Sequence, residues 1–104
     1  AGIGEPLVIS GAIDSRIVRR YMKLGLPTLR DCYSTWLATH AGVAGTVEVE
    51  LTVKTPHRAE AVRATQEGLD DTVATCIAGA IGKLDLWEQP SAVSIPFELE
   101  PDGG

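Results

Sequence analysis

Two cysteines, two histidines, a pair of glutamates and four clustered basic residues are the side chains whose types and spacing first suggest chemistry. Cys32 and Cys76 are the only thiols, each followed at once by a large hydrophobe, Tyr33 and Ile77. They form no CxxC pair, so redox exchange of the thioredoxin type is not indicated. A catalytic thiol needs a base within reach and partial exposure. The apolar spacing instead places both cysteines on the core-facing stripes of two predicted helices. The economical reading is one disulfide joining those helices, which implies an oxidising compartment. Reduced, buried thiols and a small thiol-dependent enzyme using Cys32 or Cys76 with His40 are the alternatives. Closing so long a loop would stabilise the fold by about 3 to 4 kcal/mol in the chain-entropy model.

The remaining candidates read as surface chemistry. His40 falls at a predicted helix C-terminus and His57 in a predicted turn, with no further ligands clustered around either, so neither metal nor cofactor is expected. Glu48 and Glu50 lie two apart on a predicted strand, where they form its wet face; paired-carboxylate catalysis would need a cleft. Arg16, Arg19, Arg20 and Lys23 make a basic cluster on the first helix, read as a solvated face or as a charged surface for an acidic partner.

The elements that must position these residues follow from periodicity. Asp14 is a suitable N-cap for a helix opening at Ser15, with apolar residues Ile17, Val18, Tyr21, Met22 and Leu24 at helical spacing. Gly25-Leu26-Pro27 predicts a kink or break, because proline lacks a donor and restricts the residue before it. Beyond it, Leu29, Cys32, Tyr33, Trp36 and Leu37 continue an amphipathic stripe that ends near His40. Val47, Val49, Leu51 and Val53 alternate with Glu48, Glu50 and Thr52, a strand with one buried face. A turn over Lys54 to His57 and a weaker strand from Arg58 to Gln66 complete a hairpin. Asp70 or Asp71 caps a second helix carrying Val73, Cys76, Ile77, Ala80, Ile81 and Leu84. In this helix Gly79 and Gly82 are expected to permit close approach to a neighbour. Trp87 and Pro90 mark an exit loop, and Val93, Ile95, Phe97 and Leu99 alternate as a last strand.

That order predicts an α+β two-layer sandwich, α-β-β-α-β, with a three-stranded antiparallel sheet, the first strand central, and two helices on one face. Residues 1–10 read as linker or short extended segment, 11–101 as the domain and 102–104 as a flexible tail. Nine basic against fourteen acidic residues give a formal charge of −5 and a pI near 4.9. Such a balance disfavours nucleic acid or an anionic membrane surface as partner. No run approaches the length needed to span a bilayer, and the N-terminus has no signal-peptide order. Residence in an oxidising compartment therefore implies an export signal in sequence upstream of this stretch.

Five spaced signatures carry a family resemblance. They are Ile13-Asp14 with Ile17-Val18-Arg19-Arg20, then Cys32-Tyr33, Gly45-Thr46-Val47-Glu48-Val49, Val73 with Cys76-Ile77, and Ile95-Pro96-Phe97. In this order the span from Gly11 to Pro101 resembles the C-terminal domain of the AgmX/PglI proteins of myxobacteria and their relatives, a TonB- and TolA-like module. The resemblance implies a TonB/TolA-like fold and a non-enzymatic, periplasmic interaction domain at the end of an inner-membrane-anchored, envelope-spanning protein. It also implies periplasmic or outer-membrane protein partners and transmission of force from a proton-driven motor, as in gliding-motility machinery. A purely structural anchoring domain is the rival. An unpaired edge on the last strand, at Val93, Ser94, Ile95, Phe97, Glu98 and Leu99, is the expected partner-binding site by strand addition or, between two copies, by edge pairing. Pro96 would blunt part of it. The competing expectation is that Leu7 to Ile9 shields that edge.

Overall fold

The computed structural model describes residues 2–101, so the expected tail at 102–104 lies outside the described residues. In chain order the elements are β1 (Gly2–Ile3), β2 (Leu7–Gly11), α1 (Ser15–Leu37), β3 (Gly45–Val53), β4 (Ala59–Glu67), α2 (Asp71–Gly82) and β5 (Ser91–Leu99). The class is α+β, with two helices and one antiparallel sheet among the described residues. The sheet has five strands rather than three. β3 pairs with β4 and β5, as an interior strand should. On its other side β5 pairs with β1 and β2, two short pieces in line along one flank.

Alternation decides which face is covered. Val47, Val49, Leu51 and Val53 of β3 are buried, as are Val93, Ile95, Phe97 and Leu99 of β5. They join Val18, Met22 and Leu29 of α1 and Val73, Ile77 and Ile81 of α2 in one core. Glu48 and Glu50 point away from it and are exposed. Both helices therefore lie on the apolar face of the sheet, as the period-two pattern requires.

α1 begins where expected. Asp14 caps it, its carboxylate accepting from the Arg16 N–H at 2.8 Å. The helix then runs unbroken through Pro27, without the expected break. Proline removes the bond to the Lys23 carbonyl, but the apolar stripe continues in phase across it, with Met22 and Leu29 both fully buried. Burial on both sides holds the helix together across one lost bond. Gly25 contributes at the same point: a Cβ there would stand 2.9 Å from Leu84 Cδ1, so the glycine lets the segment after α2 pack close. Gly79 and Gly82, expected to serve that purpose, do not. A Cβ on Gly79 meets nothing within 4 Å, and one on Gly82 reaches only Val62 Cγ2 at 4.0 Å.

The loop after α2 is more than an exit. Trp87 is 1% exposed, donates from Nε1 to Ser91 Oγ at 2.7 Å and meets Tyr21 edge to face at 5.7 Å. His57, in the β3–β4 turn, adopts a φ of 68° and donates from Nδ1 to the Leu86 carbonyl at 2.7 Å. Two backbone bonds at 3.1 Å reinforce that link. The turn histidine is thus a strut between the hairpin tip and the loop before β5.

Candidate functional site

Cys32 and Cys76 form a disulfide, with Cα atoms 5.9 Å apart and a sequence separation of 44. It ties the second half of α1 to the middle of α2. Cys32 is 8% exposed, in keeping with its stripe. Cys76 is not core-facing: it is exposed, because Val73, Ala74, Ile77 and Ile81 supply the buried side of α2. The stripe on α2 is centred one position away from the cysteine.

The expected binding edge on β5 is already paired. Leu7, Val8, Ser10 and Gly11 oppose Ser94, Val93, Ala92 and Ser91, while Gly2 and Ile3 oppose Glu98 and Phe97. The N-terminal segment shields the edge, the competing expectation, because its apolar residues Ile3 and Val8 pack against the core. Of the six residues predicted there, Val93, Ser94, Ile95, Phe97 and Leu99 are buried and only Glu98 is exposed.

The cover is uneven. A strand residue's N–H and C=O point to the same side, and the Pro96 carbonyl accepts from the Gly4 N–H at 2.8 Å. Its missing donor therefore faces the N-terminal flank and leaves the ladder to β3 intact. Pairing lapses there between Ile3 and Leu7, and a Cβ on Gly4 would stand 2.7 Å from Pro96 Cγ. A second irregularity falls between Val8 and Ser10. Leu7 and Ile9 remain 64% and 57% exposed.

The opposite flank, β4, pairs only with β3 among the described residues. It carries a bulge at Ala61, where φ is 52°, and the charged residues Glu60, Arg63 and Glu67. A bulge and charges are how exposed edges resist pairing.

The four residues of the basic cluster are all exposed, two of them with partners on the chain itself. Arg16 is bound to Asp14 at 2.8 Å. Arg19 donates from Nη2 to the Ile3 carbonyl at 2.8 Å and lies 3.9 Å from Glu5, which fastens β1 to the helix. Arg20 and Lys23 are exposed beside them. On the open sheet face, Ser94 donates to Glu48 at 2.7 Å, and Glu50 stands exposed next to it. Among the described residues, no group of three or more metal-ligating side chains converges, and no helix is long and apolar enough to cross a membrane.

A groove of about 550 Å³ lies elsewhere, between α1 and α2. The disulfide and Val73 line it, with Trp36, Asp31, Asp70 and several threonines around them. Trp36 donates from Nε1 to Asp70 Oδ2 at 2.7 Å and stacks on His40 with centroids 4.1 Å apart. Asp70 also caps α2, accepting from the Thr72 and Val73 N–H groups at 2.9 and 3.4 Å. The indole bond, partly opposed by desolvation, holds the Asp70 carboxyl below its ordinary value. Sequence reasoning placed Trp36 and Asp70 on separate helices but not side by side. Only the packing of the two helices builds the groove.

No family model matches the chain, and neither a curated protein nor a solved structure is significantly similar to it.

Proposed function

We propose that this chain is a non-enzymatic protein-interaction domain of the periplasm, of TonB- and TolA-like type, carried at the end of an inner-membrane-anchored protein. The disulfide supports an oxidising compartment. The location and the envelope role, with force passed from an inner-membrane motor to a periplasmic or outer-membrane partner, rest on the resemblance to the AgmX/PglI C-terminal domains.

The observation that carries a binding role is the composition of the β5 flank. A buried strand is covered there by two short pieces, interrupted at Gly4 to Pro6 and again near Ile9. Their outward residues Leu7 and Ile9 leave apolar surface in water. An extended segment of a partner with apolar residues at alternate positions can replace this cover and pair with β5 more continuously. The partner would then recover ladder bonds that the native segment makes only in part.

Pull-down from an envelope extract tests the reading, with the intact chain compared against one lacking residues 2–10. Circular dichroism verifies that the shortened chain is folded. If the partner displaces the N-terminal segment, the shortened chain retains more of a specific envelope protein. Equal retention by both chains counts against strand addition at this flank. Charges placed at Val93, Ile95, Phe97 or Leu99 make a poor test, since all four are core residues.

A further inference from the structure

The interhelical groove has the size of a ligand site, a mostly apolar lining and a consistent electrostatic sign. Its volume of about 550 Å³ falls in the ordinary range for sites that enclose a small molecule or one long side chain. Its carboxylates are Asp31 and Asp70, and no lysine or arginine lines it; His40 is its one basic residue. The His40 ring is occupied in stacking on Trp36, and its Nδ1 is engaged by the Thr39 hydroxyl at 2.9 Å and the Trp36 carbonyl at 3.1 Å. A helix N-terminus opens into the groove at Thr72 and Val73, a place that would ordinarily suit an anion. Asp70 already fills that position with the protein's own carboxylate.

The site is also held in shape. The indole is fixed by its bond to Asp70 and its stack on His40, and the disulfide fixes the separation of the two helices beneath. Little ordering remains to be done on binding, which favours even a small ligand. Thr28, Thr35 and Thr72 add hydroxyl acceptors around the rim.

From this arrangement we propose that the groove between α1 and α2 is an anchor site for an arginine side chain of a partner protein. The aliphatic stem lies over the disulfide and Val73, and the guanidinium lies between Asp31 and Asp70 with threonine hydroxyls in reach. Arginine fits better than lysine because its planar fork offers five donors to several acceptors, one of them, Asp70, held in place. The choice of a side chain over a free amine rests on the protein-binding function proposed above. The groove itself is separate from the β5 flank and from strand addition.

The test uses the whole chain and N-acetyl-arginine amide as probe, followed by NMR at low ionic strength. The two tryptophans serve as reporter and internal control: the Trp36 indole N–H borders the groove, whereas that of Trp87 is buried and bonded to Ser91. Saturable shifts should centre on Trp36, Asp31, Thr35 and Val73. N-acetyl-citrulline amide, of nearly the same shape but neutral, should bind measurably more weakly. Asp31→Asn and Asp70→Asn should each weaken the arginine probe roughly two- to fivefold, the range of a partly exposed charge pair. Asparagine retains the N-cap at position 70, so the second variant should still fold, but it gives up the acceptor for the Trp36 indole, so Asp31→Asn is the variant that isolates the charge. Equal binding of the citrulline probe, shifts spread over the acidic surface, or no effect of either variant would overturn the proposal. Because the probe has no strand to add, failure here leaves the reading of the β5 flank standing, and the converse also holds.

Discussion

Each of the two cysteines has its own environment, and the bond between them does measurable work. Reduction, or replacement of both residues by alanine, should lower the unfolding free energy by about 3 to 4 kcal/mol, since the bond closes a long loop. Denaturant titration with and without reductant checks this. Thiol titration of the oxidised native chain should find no reactive sulfhydryl. Two carboxylates give the stability a pH dependence of known sign. Asp14 is lowered from 3.8 to about 2, chiefly by its side-chain hydrogen bond with Arg16, and Asp70 is lowered chiefly by the Trp36 indole. Between the ordinary and the lowered values the unfolded chain binds a proton that the folded chain does not. Stability therefore rises with pH in that window and is lost as pH falls through the folded values. Asp70→Asn should flatten that acid limb, as read by denaturant midpoints below about pH 5. It should leave the α2 cap in place.

At the scale of elements, the helices show that propensity and packing can disagree. Pro27 sits within a 23-residue helix whose buried stripe passes through it in register. Replacement by alanine restores the donor to the Lys23 carbonyl and removes a ring clash. Pro27→Ala should raise stability by about 1 to 3 kcal/mol, allowing for the greater freedom it gives the unfolded chain. The helical glycines separate by position. Gly79→Ala adds a methyl group to open space and should gain about 0.5 to 1 kcal/mol. Gly25→Ala should gain less or lose, because its Cβ presses on Leu84. Parallel thermal unfolding of the three variants distinguishes these outcomes. Sequence periodicity made Asp14, Asp70 and the alternating residues of β3 and β5 legible. It could not separate a glycine required by a neighbour from one facing solvent, because the neighbour belongs to another element.

For the whole molecule, the N-terminal segment decides whether the sheet ends in a free edge or a covered one. Residues 2–11 pack the half-buried Ile3 and Val8 against the core and accept a clamp from Arg19 to the Ile3 carbonyl. Removal of residues 2–10 should leave β5 open along its length. The shortened chain should then be less stable and should self-associate with rising concentration, which sedimentation or size-exclusion chromatography would detect. Arg19→Ala should produce a milder form of the same change, seen as faster amide exchange at Gly2, Ile3 and Gly4 with β3 unaffected.

The sequence by itself determined the local grammar: where α1 and α2 begin, which faces of β3 and β5 are buried, the hairpin over residues 54–57, and the candidacy of two lone cysteines for one disulfide. These depend on side chains a few residues apart, within reach of helical or strand periodicity. Tertiary structure alone decided that a short apolar segment at the chain's start closes the flank of its last strand. It also decided that Cys76 faces outward, and that Trp36 and Asp70, thirty-four residues apart, wall one groove. Each of these is a contact between elements distant in sequence. Their geometry is set by how the helices and strands fill a shared core, a constraint that no single stretch of the chain contains.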